Sequence, residues 1–370
     1  MRIYVKIIVF LMLFYGSLNA ISIKAMQVLG NVSDISPASR AWLSASYQDI
    51  TLYPRYTSNA DNQARKAKIK AIHDGQNISF LIKWKGDERG VEKEEGSIVY
   101  TDGFIIQFPV NYTDVMKLPY IDKGSKGRPV VVYLQKKIKT TYKAYESMDF
   151  FLRDKELKES QEKIVIEEIE EHQTAFISEG ETHKSMALDI NANNKIYMVY
   201  KNGYWWGTLS RPLKLEYHDL DKGVFPVSFA LFGRDAHKSM SSWIAVELVS
   251  KSGGDSLLKA LSEDPEGNIA NGERMALEKC ASCHQYGDVG IGSDFIAPNL
   301  SNIGGYSIKE YLRESILHPS AVVVGENENS SWYDIVDNET KISTMPSYGW
   351  LDKDSLDDLI VFFMRQKKEE

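Results

Sequence analysis

The chain has two cysteines, and both fall inside one pentapeptide, Cys280-Ala281-Ser282-Cys283-His284. No other feature constrains the chain as much. A single pair of thiols cannot staple 370 residues, so their proximity points to a shared ligand. Cys-x-x-Cys-His is the spacing that attaches a haem covalently. Two thiols one helical turn apart can add to the two vinyl groups of one porphyrin. The histidine next in sequence is then placed to ligate the iron. A zinc site would need further cysteine or histidine ligands nearby, and a thioredoxin-like pair would need a different context.

Composition bounds the rest. With 43% hydrophobic, 26% charged and 11% aromatic residues, the chain reads as a folded protein of two or three domains. Its 20 Tyr, 14 Phe and 7 Trp exclude disorder as the dominant state. A mean hydropathy of -0.32 excludes a multi-pass membrane protein, and a net charge of -7 argues against a general nucleic-acid binder. Residues 1–20 read as a secretory leader: Arg2 and Lys6, an apolar run from Ile7 to Tyr15, then small residues to Ala20. The mature chain is expected in a bacterial periplasm, with an uncleaved anchor as the other reading of the same segment.

Residues 41–250 read as short strands separated by turns. Ala67 to Ile72, the pair Asp74-Gly75 and Ile78 to Trp84 form a hairpin signature. Further strand-like runs are 103–108, 129–134, 195–200, 204–209, 224–232 and 243–249, a pattern suited to a sandwich or barrel. Gly86 to Gly96 reads as a charged loop, and Thr141 to Glu171 as a Lys/Glu-rich insertion with helical character. Beyond a Gly/Ser/Asp-rich stretch the signals turn helical, over 270–279, 307–317 and 352–364. Charge divides at the same place: from Pro265 to Glu370 there are 9 basic and 18 acidic residues, a net of -9. Such an asymmetric field steers encounters with a basic partner surface.

Residues 268–366 resemble a class I cytochrome c domain. Ala297-Pro298-Asn299-Leu300-Ser301-Asn302-Ile303-Gly304 resembles the segment whose proline supports the proximal histidine. Tyr311 to Ser320 resembles the central helix, and Thr344-Met345-Pro346-Ser347-Tyr348 the loop bearing the distal methionine. The resemblance implies Cys280 and Cys283 as covalent attachment points, Pro298 as a cofactor-binding residue, and His284 and Met345 as iron ligands. His318 competes for the second axial place, but its His-Pro-Ser setting reads as a helix end. His/Met ligation fills both axial positions, which suits electron transfer and leaves no site for oxygen or peroxide.

The larger part of the chain resembles the haem-binding domain of the ethylbenzene dehydrogenase and dimethylsulfide dehydrogenase γ subunits. The parallels are Asp102 to Pro109 (DGFIIQFP), Trp205 to Leu213 (WWGTLSRPL) and Phe229 to Trp243 (FALFGRDAHKSMSSW). The resemblance implies a β-sandwich holding one non-covalent b-type haem between a methionine and a lysine. The lysine falls on Lys238, with His237 beside it as a chemically easier ligand outside the motif. At the methionine position this sequence has Lys123, and Met116 lies seven residues earlier. The pair is therefore Lys123/Lys238, Met116/Lys238 or absent.

The expected fold is thus a mainly β N-terminal domain, a β-sandwich, plus an all-α C-terminal cytochrome c domain. The expected boundaries are a signal peptide over 1–20, the ethylbenzene dehydrogenase-like domain over 21–255, a linker over 256–267 and the cytochrome c domain over 268–370. The expected function is periplasmic electron transfer with one covalent haem c and a possible haem b. The chain would be a subunit or partner of a molybdenum-type oxidoreductase and not an independent enzyme. Redox partner proteins with a basic docking surface, and molybdoenzyme catalytic and iron-sulfur subunits, are the partners this implies. The alternative is a monohaem cytochrome c fused to a ligand- or protein-binding sandwich, with Tyr204, Trp205 and Trp206 as a platform. A peroxidase of the dihaem type would need a second covalent site.

Overall fold

The computed structural model describes residues 21–55, 64–86, 98–110, 112–120, 124–144, 164–180, 186–187, 194–232, 238–291, 296–323, 331–336 and 340–368. The expected leader over 1–20, Lys123 and His237 lie outside the described residues. Fifteen strands precede the helices: β1 Ser22–Gln27, β2 Gln48–Pro54, β3 Arg65–His73, β4 Asn77–Lys85, β5 Ile98–Pro109, β6 Val130–Ala144, β7 Ile164–Ser178, β8 Met186–Ala187, β9 Lys195–Lys201, β10 Tyr204–Pro212, β11 Lys214–Leu215, β12 His218–Asp219, β13 Val224–Phe232, β14 Lys238–Met240 and β15 Ile244–Leu248. All but the small β11/β12 pair join one 13-stranded sheet, ordered β8-β7-β6-β5-β13-β14-β2-β3-β4-β10-β9, with β1 and β15 branching from that path. The ladders are antiparallel except at β1, which runs parallel to β15 and to β3.

The β3/β4 hairpin turns at Asp74-Gly75. Gly75 takes a φ of +92°, a conformation that suits glycine. The Asp74 carboxylate closes the turn by accepting the backbone N–H groups of Gln76 and Asn77 at 2.8 and 2.6 Å. Its other oxygen accepts the Val32 N–H at 2.9 Å, which pins the incoming loop. The Lys/Glu-rich stretch expected to carry helix runs instead as strand over 141–144 and 164–171, and 145–163 lies outside the described residues.

Over 102–109, 130–133 and 224–231 strands β5, β6 and β13 are buried on both faces, which explains the apolar runs there. Phe104, Ile106, Phe108, Val131, Tyr133, Val227, Phe229 and Leu231 point into a core shared by the two arms of the sheet. The alternate residues Ile105, Val130, Val132 and Ala230 point the other way, into a second core. That second core also contains Met275, Ile303, Leu312, Ile316, Leu359 and Phe362 of the C-terminal segment.

The C-terminal segment carries five short helices, α1 Asp255–Ser262, α2 Ile269–Lys279, α3 Ile303–Tyr306, α4 Lys309–Leu317 and α5 Lys353–Met364. A two-stranded hairpin, β16 Tyr333–Val336 with β17 Thr340–Ser343, lies between α4 and α5. This corrects the expected fold class: the described residues are mainly β, and they form no distinct all-α C-terminal cytochrome domain. Thirteen of the strands form one continuous sheet, and the helices share a core with it because each helix has too little apolar surface to bury alone. Helix α1 also occupies much of the stretch read as a linker.

Close backbone approaches seat the segment. A Cβ on Gly272 of α2 would lie 2.0 Å from the Asp358 carbonyl of α5, so this helix crossing requires a glycine. A Cβ on Gly305 would meet the Tyr53 ring of β2 at 2.2 Å. Arg128 and Glu314 of α4 add a bidentate ion pair at 2.7 and 2.6 Å. With side chains only 15% and 16% exposed, this pair is screened less than an open surface bridge.

Inside the first core Arg211 is fully buried, its guanidinium 5.1 Å from the Phe108 ring and 5.6 Å from the Tyr133 ring. It donates from Nη1 to His218 Nδ1 at 3.0 Å, which makes His218 the Nε2–H tautomer. Burial, and next the Arg211 charge, hold the His218 pKa well below its ordinary value. A depressed folded-state pKa means that His218 stabilises the fold above its unfolded value of about 6.5 and that this stability drains as the pH falls. Urea unfolding should therefore show stability falling between pH 7 and pH 5, by up to about 1.4 kcal/mol per pH unit for this group. The slope should be shallower in His218→Asn; an unchanged slope would remove His218 as its source.

Candidate functional site

Helix α2 is capped by Asn268, whose side chain accepts the Asn271 N–H at 3.1 Å, and it runs directly into the Cys-x-x-Cys-His segment. The helical path continues past its end: Cys280 N donates to Ala276 O at 2.8 Å and His284 N to Cys280 O at 2.8 Å. Behind this turn Gly290, at φ +95°, packs against the His284 carbonyl, where a Cβ would come within 2.0 Å. The loop that returns from the pentapeptide therefore needs glycine at that position.

His284 and Pro298 are joined by a hydrogen bond of 2.8 Å between Nδ1 and the proline carbonyl. A carbonyl only accepts, so Nδ1 carries the proton and Nε2 keeps a free lone pair, the tautomer that ligates a metal through Nε2. Burial lowers the His284 pKa, with the Pro298 carbonyl pulling the other way, and both the tautomer and the lowered pKa favour a neutral donor. The Pro298 segment is tied to the pentapeptide by Leu300 N to Gln285 O at 2.7 Å and Gly287 N to Ser301 Oγ at 2.9 Å.

Met345 follows the β16/β17 hairpin. Its loop is anchored to the end of α4 by Tyr348 N to Ile316 O at 3.0 Å and Ser347 Oγ to Leu317 O at 2.7 Å. The Tyr348 hydroxyl then donates to the Lys279 carbonyl at 2.9 Å, linking the Met345 loop to the last turn before Cys280.

These residues converge on a cavity of about 570 Å³ lined by Cys280, Cys283, His284, Pro298 and Met345 together. That volume falls in the range of small-molecule and cofactor sites, roughly 300–1,000 Å³. Much of the remaining wall is apolar, including Leu300, Ile303, Leu312, Ile316, Trp332 and Phe363. Neither aspartate nor glutamate is among the described residues that line it, whereas Arg55 and Lys279 are. The Trp332 indole Nε1 is buried with no partner among the described residues. Two thiols, an oriented neutral imidazole, a thioether and an orphaned donor around an apolar cavity fit a covalently held haem. Among the described residues no group of three or more His, Cys, Asp or Glu is placed to hold a metal ion, so a zinc reading finds no ligand set.

The other sequence candidates lie elsewhere. His318 is exposed at the end of α4 and does not line the cavity. Lys238 opens β14 opposite Phe232, half-buried and outside the cavity. It is close enough to Lys136 that its charge, after burial, depresses the Lys136 pKa. Met116 is 43% exposed, on a one-turn 3-10 helix spanning Val115–Lys117. Of the aromatic run on β10, Trp205 is buried in the first core, while the Lys83 ammonium lies 4.2 Å from the Tyr204 ring centroid and 4.4 Å from that of Trp206.

Sequence reading missed Arg55 and Tyr120, which line the cavity from the sheet side. Arg55 belongs to no motif, and Tyr120 stands in the Pro119-Tyr120 segment leading to Lys123, the methionine position of the family resemblance; both lie more than 150 residues before the pentapeptide, so no local signal ties them to it.

Burial pushes the Cys280 thiol up to about 11, while Cys283 is exposed. The thiolate is the reactive form, and at pH 8 about one Cys280 in a thousand would be ionised. In haem-free protein at pH 8, iodoacetamide should modify Cys283 well before Cys280, as read by peptide mass spectrometry. Equal rates would contradict the burial of Cys280.

A family model described as Ethylbenzene dehydrogenase matches residues 39–243, which is 205 of the 370 residues. No match is found among curated proteins. Similar solved structures include a carbohydrate binding module family 9 from Caldicellulosiruptor kristjanssonii in complex with glucose. It is 8% identical, covering 63% of this chain and 98% of that chain at a TM-score of 0.33. The module in complex with cellotriose is 10% identical, covering 62% of this chain and 95% of that chain at a TM-score of 0.32.

Proposed function

This chain belongs to the ethylbenzene dehydrogenase family, and on that premise we propose that it is an exported electron-transfer protein holding one covalent c-type haem. The observation that carries the proposal is the convergence of Cys280, Cys283, His284 and Met345 on one cavity. The bound group would supply one-electron transfer. The chain's own residues do the rest. Cys280 and Cys283 Sγ would hold the group covalently, and His284 Nε2 and Met345 Sδ would ligate its iron. The Pro298 carbonyl keeps the imidazole in the ligating tautomer. The apolar walls exclude water, and His284 and Met345 would both be committed to holding the group, which suits electron transfer. The chain is therefore a carrier, not an independent enzyme.

Family membership associates the chain with an oxidoreductase complex of the molybdenum type. In the proposal it passes electrons between that enzyme and a redox partner, in the periplasm to which residues 1–20 would direct it. Among the described residues no helix is long and apolar enough to cross a membrane. The net charge of -9 over residues 265–370 suits a partner with a basic docking surface. A second, non-covalent haem b, which Lys238 with Lys123 or Met116 would hold, extends the proposal to a two-haem wire. A lysine ligates only as the neutral amine, so the site must be dry enough to shed the proton.

Pyridine haemochrome spectra before and after acid-acetone extraction test both parts, on the full chain matured with a cytochrome c assembly system. The expected result is one haem that resists extraction and is lost in Cys280→Ser/Cys283→Ser, plus one extractable haem that is lost in Lys238→Ala. Extraction of all haem from the parent chain would overturn the c-type assignment. Absence of an extractable haem would remove haem b.

A further inference from the structure

The cavity wall facing the sheet is built by residues outside the haem-attachment segment. Arg55 directly follows β2 and is 8% exposed, and its guanidinium carbon lies 5.1 Å from the Tyr120 ring centroid. Tyr120 packs in turn on Tyr311 of α4, with ring centroids 5.0 Å apart. Arg55, Tyr120 and Tyr311 all line the cavity that Cys280, Cys283 and His284 line.

The backbone at Arg55 is held in place from the helical side. The preceding Pro54 carbonyl accepts from Asn302 Nδ2 at 3.3 Å, and the Tyr53 ring fills the space left open at Gly305. Among its described residues the cavity wall has two cations, Arg55 and Lys279, and no carboxylate. Lys279 extends its ammonium over the Trp350 ring, 5.0 Å from the centroid, and Trp350 is 67% exposed. That leaves Arg55 as the cation on the buried, sheet-facing side. A guanidinium presents a planar fork of donors that matches a carboxylate, and in a low-dielectric wall the attraction is stronger than in water. Haem carries two propionate carboxylates.

From this geometry we infer that Arg55, supplied by the β-sheet, binds a propionate of the haem held at Cys280 and Cys283. The inference rests on the covalent-haem reading above. It makes the cofactor a shared possession of the sheet and the C-terminal segment, and it ties the redox potential to a residue 225 positions before the first cysteine.

Optical redox titration of the full, haem-loaded chain at one pH tests this in the parent, Arg55→Met and Arg55→Lys. Loss of the cation leaves the propionate charge uncompensated and favours ferric iron, so Arg55→Met should titrate at a lower midpoint potential. Arg55→Lys should recover most of the difference. An Arg55→Met potential equal to the parent's would overturn the inference. So would equal displacement in Arg55→Met and Arg55→Lys, which would assign Arg55 a shape role only. Should Arg55→Met fail to accumulate, Arg55→Gln is read by the same criteria, with thermal unfolding of each variant separating a potential shift from a loss of fold. A parent chain without covalent haem would fail the proposed function itself, whereas covalent haem with a potential indifferent to Arg55 would fail this inference alone.

Discussion

Burial of 102–109, 130–133 and 224–231 on both faces of the sheet sets how everything else packs. One set of alternating side chains fills the space between the arms of the sheet, and the other receives the C-terminal segment. Strand periodicity makes this possible, because successive residues point to opposite sides. Helices of 4 to 12 residues gain little stability alone, so the outer face of the sheet is the surface that organises them. Glycine at 272 and 305 allows the close approaches, and the Arg128–Glu314 pair fixes the register of α4 against the sheet.

The cavity is a consequence of that docking. Its cysteines, histidine, proline and methionine come from the C-terminal segment, and its sheet-facing wall from the chain around Arg55 and Tyr120. An acidic segment thus carries a cavity with cations and no carboxylate among its described lining residues. Under the proposed function the negative outer surface attracts a basic protein partner, and the cations of the cavity attract an anionic group.

Local features were legible in the sequence, and packing was not. Asp74-Gly75 marked its hairpin because the turn requires a positive φ and a side chain that caps its own loop. Pro298 and Met345 were found through motif resemblance, and both line the same cavity as His284. The division into a sandwich and a separate helical domain was misjudged because the change of periodicity near residue 255 marks a change of element type, not a break in the core. The apolar runs 129–134 and 224–232 already carried the missing information, since a strand with one face in water would alternate. Arg55 was invisible for a different reason: only tertiary structure brings it to the pentapeptide.

The proposed function stands on Cys280 and Cys283 together holding one tetrapyrrole in the cavity. Peptide mass spectrometry of the full chain, purified after maturation in a cytochrome c assembly host, addresses it most directly. The expected result is a peptide spanning Cys280 to His284 that carries one haem through both sulfurs. Recovery of that peptide with two free thiols, from protein that is folded and was supplied with haem, would contradict it.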